Sequence, residues 1–184
     1  MTFPVLDQNR IETARLVMRP PVPADWQAFH DFMMSDRATA FGGHNNLGKA
    51  FRSFASELGH WQIKGFGMWA VTLKDDATDT ARGLIGPWHP PDWPEAEIGW
   101  MMFDASLEGK GIASEAASAA VAHAYAVLGW PTVVSYVGIG NTRSARLAEK
   151  LGATLDASAA QPYPQDPLWV YRHPRPADRG TAAA

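Results

Sequence analysis

The chain has 184 residues, of which 46% are hydrophobic and 19% are charged, which is enough apolar material for one globular core and leaves little for a second. The net charge is −3 and lysine and arginine are scattered, which excludes the basic patch expected of a protein that binds nucleic acid or an anionic membrane. Cysteine is absent, which excludes disulfides, thiolate metal ligands and a cysteine nucleophile, and the lack of a long apolar run predicts a cytoplasmic protein without a membrane span.

The N-terminal half predicts a strand followed by two helices. Residues 10–19 alternate enough to form a strand, which Pro20 ends because proline cannot donate to a ladder. A helix then begins at Asp25, and a second helix ends at Gly65. In both helices the apolar residues recur at the spacing of one buried face. We expect those faces to contain Trp26, Phe29, His30 and Met33 in the first helix and Phe51, Phe54, Ala55, Leu58 and Trp61 in the second.

The C-terminal half predicts further strands and two more helices. Residues 68–73 and 84–88 form a hairpin, and the Pro-rich stretch 89–94 is a loop. A long helix with small residues on its buried face ends at Gly129. That face is expected to contain Ile112, Ala116, Ala120, Ala124, Val127 and Leu128. The last strands are expected at 132–137, 153–158 and 167–172, before a frayed tail from residue 174.

The segment from Glu97 to Ala116 has the order expected of an anion-binding site. An apolar strand is followed by a turn with Gly109 and Gly111 and then by the start of a helix. Glycines let backbone N–H groups approach a ligand, and the first helical turn adds unpaired donors and a positive dipole end. Such a turn suits the pyrophosphate of a nucleotide, a dinucleotide or coenzyme A. A dinucleotide is disfavoured, because Ser114 stands where a third glycine is needed and the next strand lacks an acidic end.

A second signature follows the next strand. A glycine turn leads into a helix with Asn141, Ser144 and the sequence Glu-Lys-Leu-Gly at 149–152. Together with the first glycine turn, this pattern resembles the GCN5-related N-acetyltransferase (GNAT) superfamily over most of the chain. The opening residues 11–19, followed by Ala-Asp-Trp, further resemble the branch that acetylates protein N-termini, especially those of ribosomal proteins.

The resemblance implies an α/β fold of the GNAT type. Its central sheet is mixed and mostly antiparallel, with about six to seven strands flanked by about four helices. It implies a single domain over residues 1–173, with a flexible tail at 174–184. It also implies acetyl-CoA as the acetyl donor. No metal is expected, since the six histidines show no ligand spacing.

The resemblance also assigns contacts with the coenzyme. The backbone at the end of the central strand pairs with the pantetheine arm, the glycine turn and helix start hold the pyrophosphate, and cations meet the ribose phosphate. By position these contacts fall on Met101, Met102, Phe103, Glu108, Gly109, Lys110, Gly111, Ile112, Ala113, Ser114, Asn141, Arg143, Ser144 and Arg146. Glu108 departs from the family pattern, which has Gln or Arg there. A buried carboxylate would repel the diphosphate, so we expect Glu108 to point into solvent.

Acetyl transfer to an amine requires a base for the amine, a donor for the oxyanion and an acid for the leaving thiolate. Glu97 is the candidate base, and an ordinary strand residue is its structural alternative. The tyrosine that many relatives use as the acid is missing, because Ala148 takes its place. Ser144 is the candidate acid instead, with capping or helix packing as its alternative. The candidate acceptor contacts are Phe41, in a specificity loop at 41–46, and Trp93 and Trp100, which flank Glu97 in the sequence.

Three functions remain open from the sequence. The leading one is an acetyl-CoA-dependent N-acetyltransferase that acts on a peptide or protein α-amine. Within the same fold, the acceptor could be a small-molecule amine such as a drug, a polyamine or a metabolite. From another class, the chain could be a coenzyme-A-binding sensor without turnover, which Glu108 and Ala148 make credible. The sequence leaves a homodimer open.

Overall fold

The computed structural model describes residues 9–41 and 46–175. Within them the four helices are α1 Trp26–Met33, α2 Leu47–Lys64, α3 Ile112–Ala126 and α4 Thr142–Lys150. The eight strands are β1 Ile11–Glu12, β2 Leu16–Arg19, β3 Trp69–Leu73, β4 Gly83–Trp88, β5 Glu97–Met102, β6 Val134–Gly138, β7 Thr154–Leu155 and β8 Leu168–Arg172.

The strands form one open sheet in the order β1-β2-β3-β4-β5-β6-β8-β7. The pairs β1–β2, β2–β3, β3–β4, β6–β8 and β7–β8 are antiparallel, whereas β5 and β6 run parallel. The predicted mixed, mostly antiparallel sheet and the number of helices are therefore confirmed. The sheet has eight strands, slightly more than expected.

The extra strand arises at the N-terminal end, where the expected single strand over 10–19 is two strands. The N–H of Thr13 donates to the carbonyl of Leu16 over 3.0 Å, and the Thr13 hydroxyl accepts from the N–H of Leu16 over 3.1 Å. These two bonds close a turn, so that Ile11 pairs with Met18. Such a side-chain bond to the local backbone competes with a continuous strand.

The strand expected at 153–158 is also shorter than predicted, because β7 contains only Thr154 and Leu155. The Asp156 carboxylate accepts hydrogen bonds from both the N–H and the hydroxyl of Ser158, over 3.0 and 2.7 Å. This Asx-type turn ends the ladder.

The buried face of α2 differs from the predicted one. Phe54 and Trp61 are buried as expected, but Phe51 is 61% exposed and Ala55 is exposed. The buried stripe is rotated around the helix axis relative to the predicted one. It includes a charged side chain, Glu57, which a pattern of apolar residues does not reveal. The stripe consists of Ala50, Phe54, Glu57, His60 and Trp61.

The predicted face of α3 is confirmed at its small residues and wrong at its end. Ile112, Ala116, Ala120 and Ala124 are buried, which allows close packing. Val127, by contrast, is 68% exposed. It lies beyond the last helical residue, where the chain turns towards Gly129 with a φ of 66°.

The chain forms two compact units. The first contains residues up to Ile85 together with Trp100–Ile112, and the second contains Gly86–Gly99 together with the residues from Ala113 onward. The core of the first unit is rich in aromatic rings, whereas that of the second consists mainly of alanine and valine. The single domain over 1–173 stays a prediction. No helix in the part of the chain that the structure describes has the length and apolar character needed to cross a membrane.

Candidate active site

The turn between β5 and α3 has the backbone conformation predicted for an anion site. We call Glu108–Gly111 the phosphate loop. Gly109 and Gly111 have φ values of 74° and 78°, in the left-handed region that favours glycine. Helix α3 begins at the next residue, Ile112, so the loop leads directly to a helix N-terminus. Gly109 and Lys110 are exposed, which leaves the loop open to a ligand.

Arg37 holds the phosphate loop and the end of β5 together. Its Nη2 donates to Oε1 of Glu108 over 2.7 Å and to the carbonyl of Met102 over 3.2 Å, and its Nη1 donates to the carbonyl of Phe103. The Glu108 side chain is 40% exposed, so it reaches solvent as expected but is also ion-paired. The negative charge that sets Glu108 apart is therefore balanced by a cation in the same unit.

The backbone of Phe103 is less available to a ligand than the sequence predicts. Its N–H donates to the carbonyl of Arg82 over 2.8 Å, and its carbonyl accepts from Arg37. Its ring packs against Phe29 and Phe32, with centroid distances of 5.7 and 5.2 Å. Because both backbone groups are engaged, pairing of Phe103 with a pantetheine arm is disfavoured.

A second arginine, Arg15, lies against the phosphate loop. Its Nη1 donates to the carbonyl of Lys110 over 2.9 Å. Its Nη2 lies 3.4 Å from the position that a Cβ on Gly111 would occupy. A side chain at position 111 would therefore meet a guanidinium as well as an unfavourable φ. The loop thus has two arginines beside it, Arg15 and Arg37, which makes its surroundings suitable for an anion.

Glu97, at the start of β5 in the second unit, is a buried carboxylate. Its side chain accepts a hydrogen bond from Nε1 of Trp93 over 2.6 Å and a longer one from the N–H of Tyr136 over 3.4 Å. Glu97 is 8% exposed, and burial raises the pKa of its carboxyl to about 7, although both hydrogen bonds act in the opposite direction. A carboxylate with such a pKa can take and return a proton near neutral pH.

Glu97 is buried where its own strand, β5, pairs with the parallel strand β6. Glu97 is in register with Val134, and the N–H of Val134 donates to the carbonyl of Ala96. Further along β6, the Glu97 side chain accepts from the backbone N–H of Tyr136, and the hydroxyl of Ser135 donates to the carbonyl of Ile98 over 2.6 Å. Side chains thus link β5 and β6 at these residues. The carboxylate is structurally held as well as chemically suited.

A family model for the acetyltransferase (GNAT) domain matches residues 15–154. The chain belongs to the GNAT acetyltransferase family. Its activity is therefore that of an N-acetyltransferase, and family membership implies acetyl-CoA as the donor.

Solved structures of acetyltransferases resemble this GNAT protein over most of its length. An acetyltransferase from Agrobacterium tumefaciens is 36% identical with a TM-score of 0.81, and the match covers 95% of this chain and 96% of that chain. A putative ribosomal-protein-serine acetyltransferase from Vibrio cholerae is 17% identical with a TM-score of 0.67, covering 89% and 95%. A spermidine N-acetyltransferase chimera from Vibrio cholerae and hSSAT is 15% identical with a TM-score of 0.61, covering 86% and 93%. The last two likenesses concern the fold alone.

The residues present fit a diphosphate-bearing donor. The two left-handed glycines keep side chains out of the phosphate loop, and Arg15 and Lys110 supply positive charge beside it. The next residues, Ala113 and Ser114, are half-buried in the first turn of α3. The GNAT donor could therefore be held by the loop backbone and these cations.

The second GNAT signature begins α4. Asn141 is the N-cap, and its side-chain oxygen accepts from the N–H of Ser144 over 3.2 Å. The capping role considered for Ser144 thus belongs to Asn141, and Ser144 is half-buried one turn into the helix. Arg143 and Arg146 are exposed, and Arg146 borders a cavity of about 250 Å³ beside Trp169. Their contact with a ribose phosphate stays a prediction.

The candidate acceptor residues have different outcomes. Trp93 contacts Glu97 directly, whereas Trp100 belongs to the first unit and is half-buried there. Residues 42–45 of the candidate specificity loop and the side chain of Phe41 lie outside the described residues. Residues 9–41 and 46–175 contain no group of three or more His, Cys, Asp or Glu residues that could hold a metal ion.

Sequence reasoning missed the two arginines beside the phosphate loop and the aromatic neighbours of Glu97. Arg15 stands in the opening motif that suggested the ribosomal-protein branch, but was interpreted only as part of a strand. Arg37 had no signal of its own. The presence of Glu108 in place of Gln or Arg could have prompted a search for a compensating cation.

We expect Arg37→Met to weaken acetyl-CoA binding about tenfold, because it leaves the Glu108 charge unbalanced beside the diphosphate. Glu108→Gln should bind at least as tightly as the parent, and the double variant should recover part of the loss. Calorimetric titration with acetyl-CoA measures all three. Arg10→Met is the matched control, since Arg10 forms an exposed ion pair with Glu12 over 3.1 Å. Equal affinities for Arg37→Met and Arg10→Met would contradict the role of Arg37.

Proposed function

We propose that the protein transfers the acetyl group of acetyl-CoA to the α-amine of a peptide or protein N-terminus. The observation that carries this proposal is the buried carboxylate of Glu97, whose pKa is raised to about 7 by burial. An acetyl acceptor must be a neutral amine, and Glu97 could remove the proton from its cationic form. The resemblance of residues 11–19 to the ribosomal-protein branch supports the choice of a protein N-terminus.

The pKa of Glu97 favours an α-amine over a lysine side chain. An α-ammonium group has a pKa of about 8 and a lysine side chain one of about 10.4. Proton transfer to a base with a pKa of about 7 is therefore uphill by about 1 kcal/mol for the α-amine and about 5 kcal/mol for lysine. This difference supports selectivity for N-terminal amines at neutral pH.

Bound acetyl-CoA would supply the acetyl group as a thioester. The backbone of Met101 and Met102 and the phosphate loop would orient the donor. A carboxylate oxygen of Glu97 would take the proton of the acceptor ammonium, and Oγ–H of Ser144 would donate a proton to the departing sulfur. A weak acid is sufficient for that step, because a thiolate is a good leaving group.

The cellular setting forms part of the same proposal. We infer a cytoplasmic protein, because the chain has no cysteine and no long apolar run. We infer no nucleic-acid or membrane partner, because the net charge is −3 and the basic residues are scattered. A homodimer is compatible with this function, and analytical ultracentrifugation would distinguish it from a monomer.

A small amine with two positive charges, such as a polyamine, is the second candidate acceptor. It is favoured by one observation, which is that two carboxylates lie at Trp93: Glu97 accepts its indole N–H over 2.6 Å, and Asp92 is the exposed residue before it. Two carboxylates at one aromatic side chain suit two ammonium groups. An acetylation assay with a panel of amines separates this candidate from the first.

A panel of amines, read by thiol release from acetyl-CoA, tests the function. We expect a lysine-free peptide with a free N-terminus to react at least about tenfold faster at neutral pH than the N-terminally blocked peptide with one lysine. A higher kcat/KM for spermidine than for the free peptide would favour the second candidate. No thiol release with any amine, despite acetyl-CoA binding, would make the protein a coenzyme sensor.

A further inference from the structure

Three aromatic side chains of the second unit form a cluster next to Glu97. The ring of Trp93 lies 6.3 Å from that of Tyr136 and 5.4 Å from that of Tyr163, at interplanar angles of 90° and 89°. We call these three residues the aromatic cluster. Trp93 precedes β5, Tyr136 lies in β6 and Tyr163 lies between β7 and β8. Tyr163 is 47% exposed, so the cluster is open to solvent on that side.

Glu97, the buried carboxylate beside the cluster, forms no ion pair within the described ranges. The charges of Glu95 and Arg172 also act on the hydroxyl of Tyr136, but these two residues are ion-paired with each other. Among the described residues, Glu97 has no arginine, lysine or histidine within ion-pair distance, and its hydrogen-bond partners are the neutral groups of Trp93 and Tyr136. This sets it apart from two other carboxylates with low exposure. Asp25 is paired with Arg19 over 2.8 Å, and Glu95 is paired with Arg172 over 2.7 Å.

A second carboxylate lies at the exposed side of the cluster. Asp92 precedes Trp93, is exposed, and has no ion pair within the described ranges. Burial together with the charges of Asp92 and Glu97 raises the pKa of the Tyr163 hydroxyl, which indicates that both charges are near this side chain. The cluster therefore has a carboxylate at its buried end and another at its exposed end.

Aromatic faces and carboxylates attract the same kind of ligand. The face of an aromatic ring is negative, and an ammonium group over it gains about 0.5–2 kcal/mol depending on desolvation. A carboxylate adds a charge-assisted hydrogen bond to such a group. An anion would be repelled by Asp92 and Glu97. An uncharged ligand would leave Glu97 without a partner of opposite charge.

We infer that Trp93, Tyr136 and Tyr163, with Glu97 at the buried end and Asp92 at the exposed end, form a subsite that binds an organic ammonium ion. In the context of the proposed function, on which this assignment to the acceptor rests, the ligand is the protonated acceptor amine. The amine binds as a cation, one N–H bond then breaks, and the proton goes to a carboxylate oxygen of Glu97. The nitrogen keeps the electron pair that attacks the acetyl carbon.

The test uses choline as a quaternary ammonium probe and 3,3-dimethyl-1-butanol as its uncharged isostere. Both are titrated calorimetrically into the protein without acetyl-CoA. We expect choline to bind at least about tenfold more tightly, since the two probes differ mainly in charge. Tyr163→Leu should weaken choline binding several-fold, whereas Tyr163→Phe, which keeps the aromatic face, should bind nearly as the parent does.

Phe51→Leu is the matched control, because Phe51 is an exposed aromatic residue outside the cluster. It should bind choline as the parent does. Equal affinity for choline and the isostere, or equal losses in Tyr163→Leu and Phe51→Leu, would overturn the inference. The probe needs no turnover, so the outcome is independent of the proposed function. Choline binding without acetyl transfer would leave the ammonium site standing, and acetyl transfer without choline binding would remove it.

Discussion

Glu97→Gln is expected to lower the maximal rate of acetyl transfer at neutral pH by about 10²–10⁴-fold, the usual contribution of a general base. The affinity for acetyl-CoA should barely change, since the phosphate loop is untouched. Burial raises the pKa of Glu97 to about 7, so the parent rate should fall as the pH drops through that value. The variant should lose the limb at the Glu97 pKa and follow the amine pKa of about 8 instead, so its deficit should shrink as the pH rises and the acceptor arrives neutral. Steady-state rates from about pH 6 to about pH 9, a range that spans both pKa values, measure both effects.

Ser144→Ala provides the contrast for this prediction. It should lower the rate through the loss of a proton donor while leaving the acidic limb of the pH profile in place. If Glu97→Gln retains at least half of the parent rate over the whole range, Glu97 is a structural strand residue. In that case proton removal belongs to solvent or to another group.

The pH dependence of the unfolding free energy of the parent and of Glu97→Gln gives an independent check on the pKa of Glu97. A carboxyl group whose pKa is higher in the folded state than in the unfolded state stabilises the fold at low pH, and this contribution is lost as the pH rises through the folded pKa. With a pKa of 4.5 for the carboxyl group in the unfolded chain and about 7 in the folded protein, the contribution disappears between these two pH values and amounts to at most about 3 kcal/mol. Denaturant unfolding of the parent should show this loss, and Glu97→Gln should not.

Gly111→Glu is expected to weaken acetyl-CoA binding by at least about a hundredfold, because the new side chain fills the phosphate loop and adds a charge of the same sign as the diphosphate. The change also forces a non-glycine residue into a φ of 78°, which costs about 1–2 kcal/mol of stability. Calorimetric titration with acetyl-CoA measures the first effect and denaturant unfolding the second.

Gly65→Glu separates the two effects. Gly65 caps α2 with a φ of 75°, and a Cβ there would meet no atom within 4 Å. The control therefore carries the same charge and nearly the same backbone strain. It should lose similar stability and keep its affinity for acetyl-CoA. An affinity of Gly111→Glu within threefold of this control would refute the assignment of the phosphate loop.

Helix ends and turns were largely predictable from the sequence. Gly65 ends α2 and Gly109 and Gly111 lie in a turn before α3, as predicted, and all three have the left-handed conformation. Asn141 caps α4, and its contact with the coenzyme stays a prediction. The buried faces were less predictable, because a helix can bury Glu57 and expose Phe51 when packing shifts the stripe. Periodicity identifies that a helix has an apolar side but fixes its rotation only approximately.

The sequence by itself determined the family, the phosphate loop and the candidate base, because each depends on residues close together in the chain. The conformation of a glycine turn before a helix depends on the local sequence and not on the rest of the fold. The candidate base was identified in the same way, from its position in the strand before that turn. Only the tertiary structure decided the surroundings of these residues. Arg37 reaches Glu108 across 71 positions and Arg15 reaches Lys110 across 95. Glu97 owes its raised pKa to burial beside Tyr136, 39 positions away. Charge balance and desolvation depend on such distant neighbours, and no local pattern specifies them.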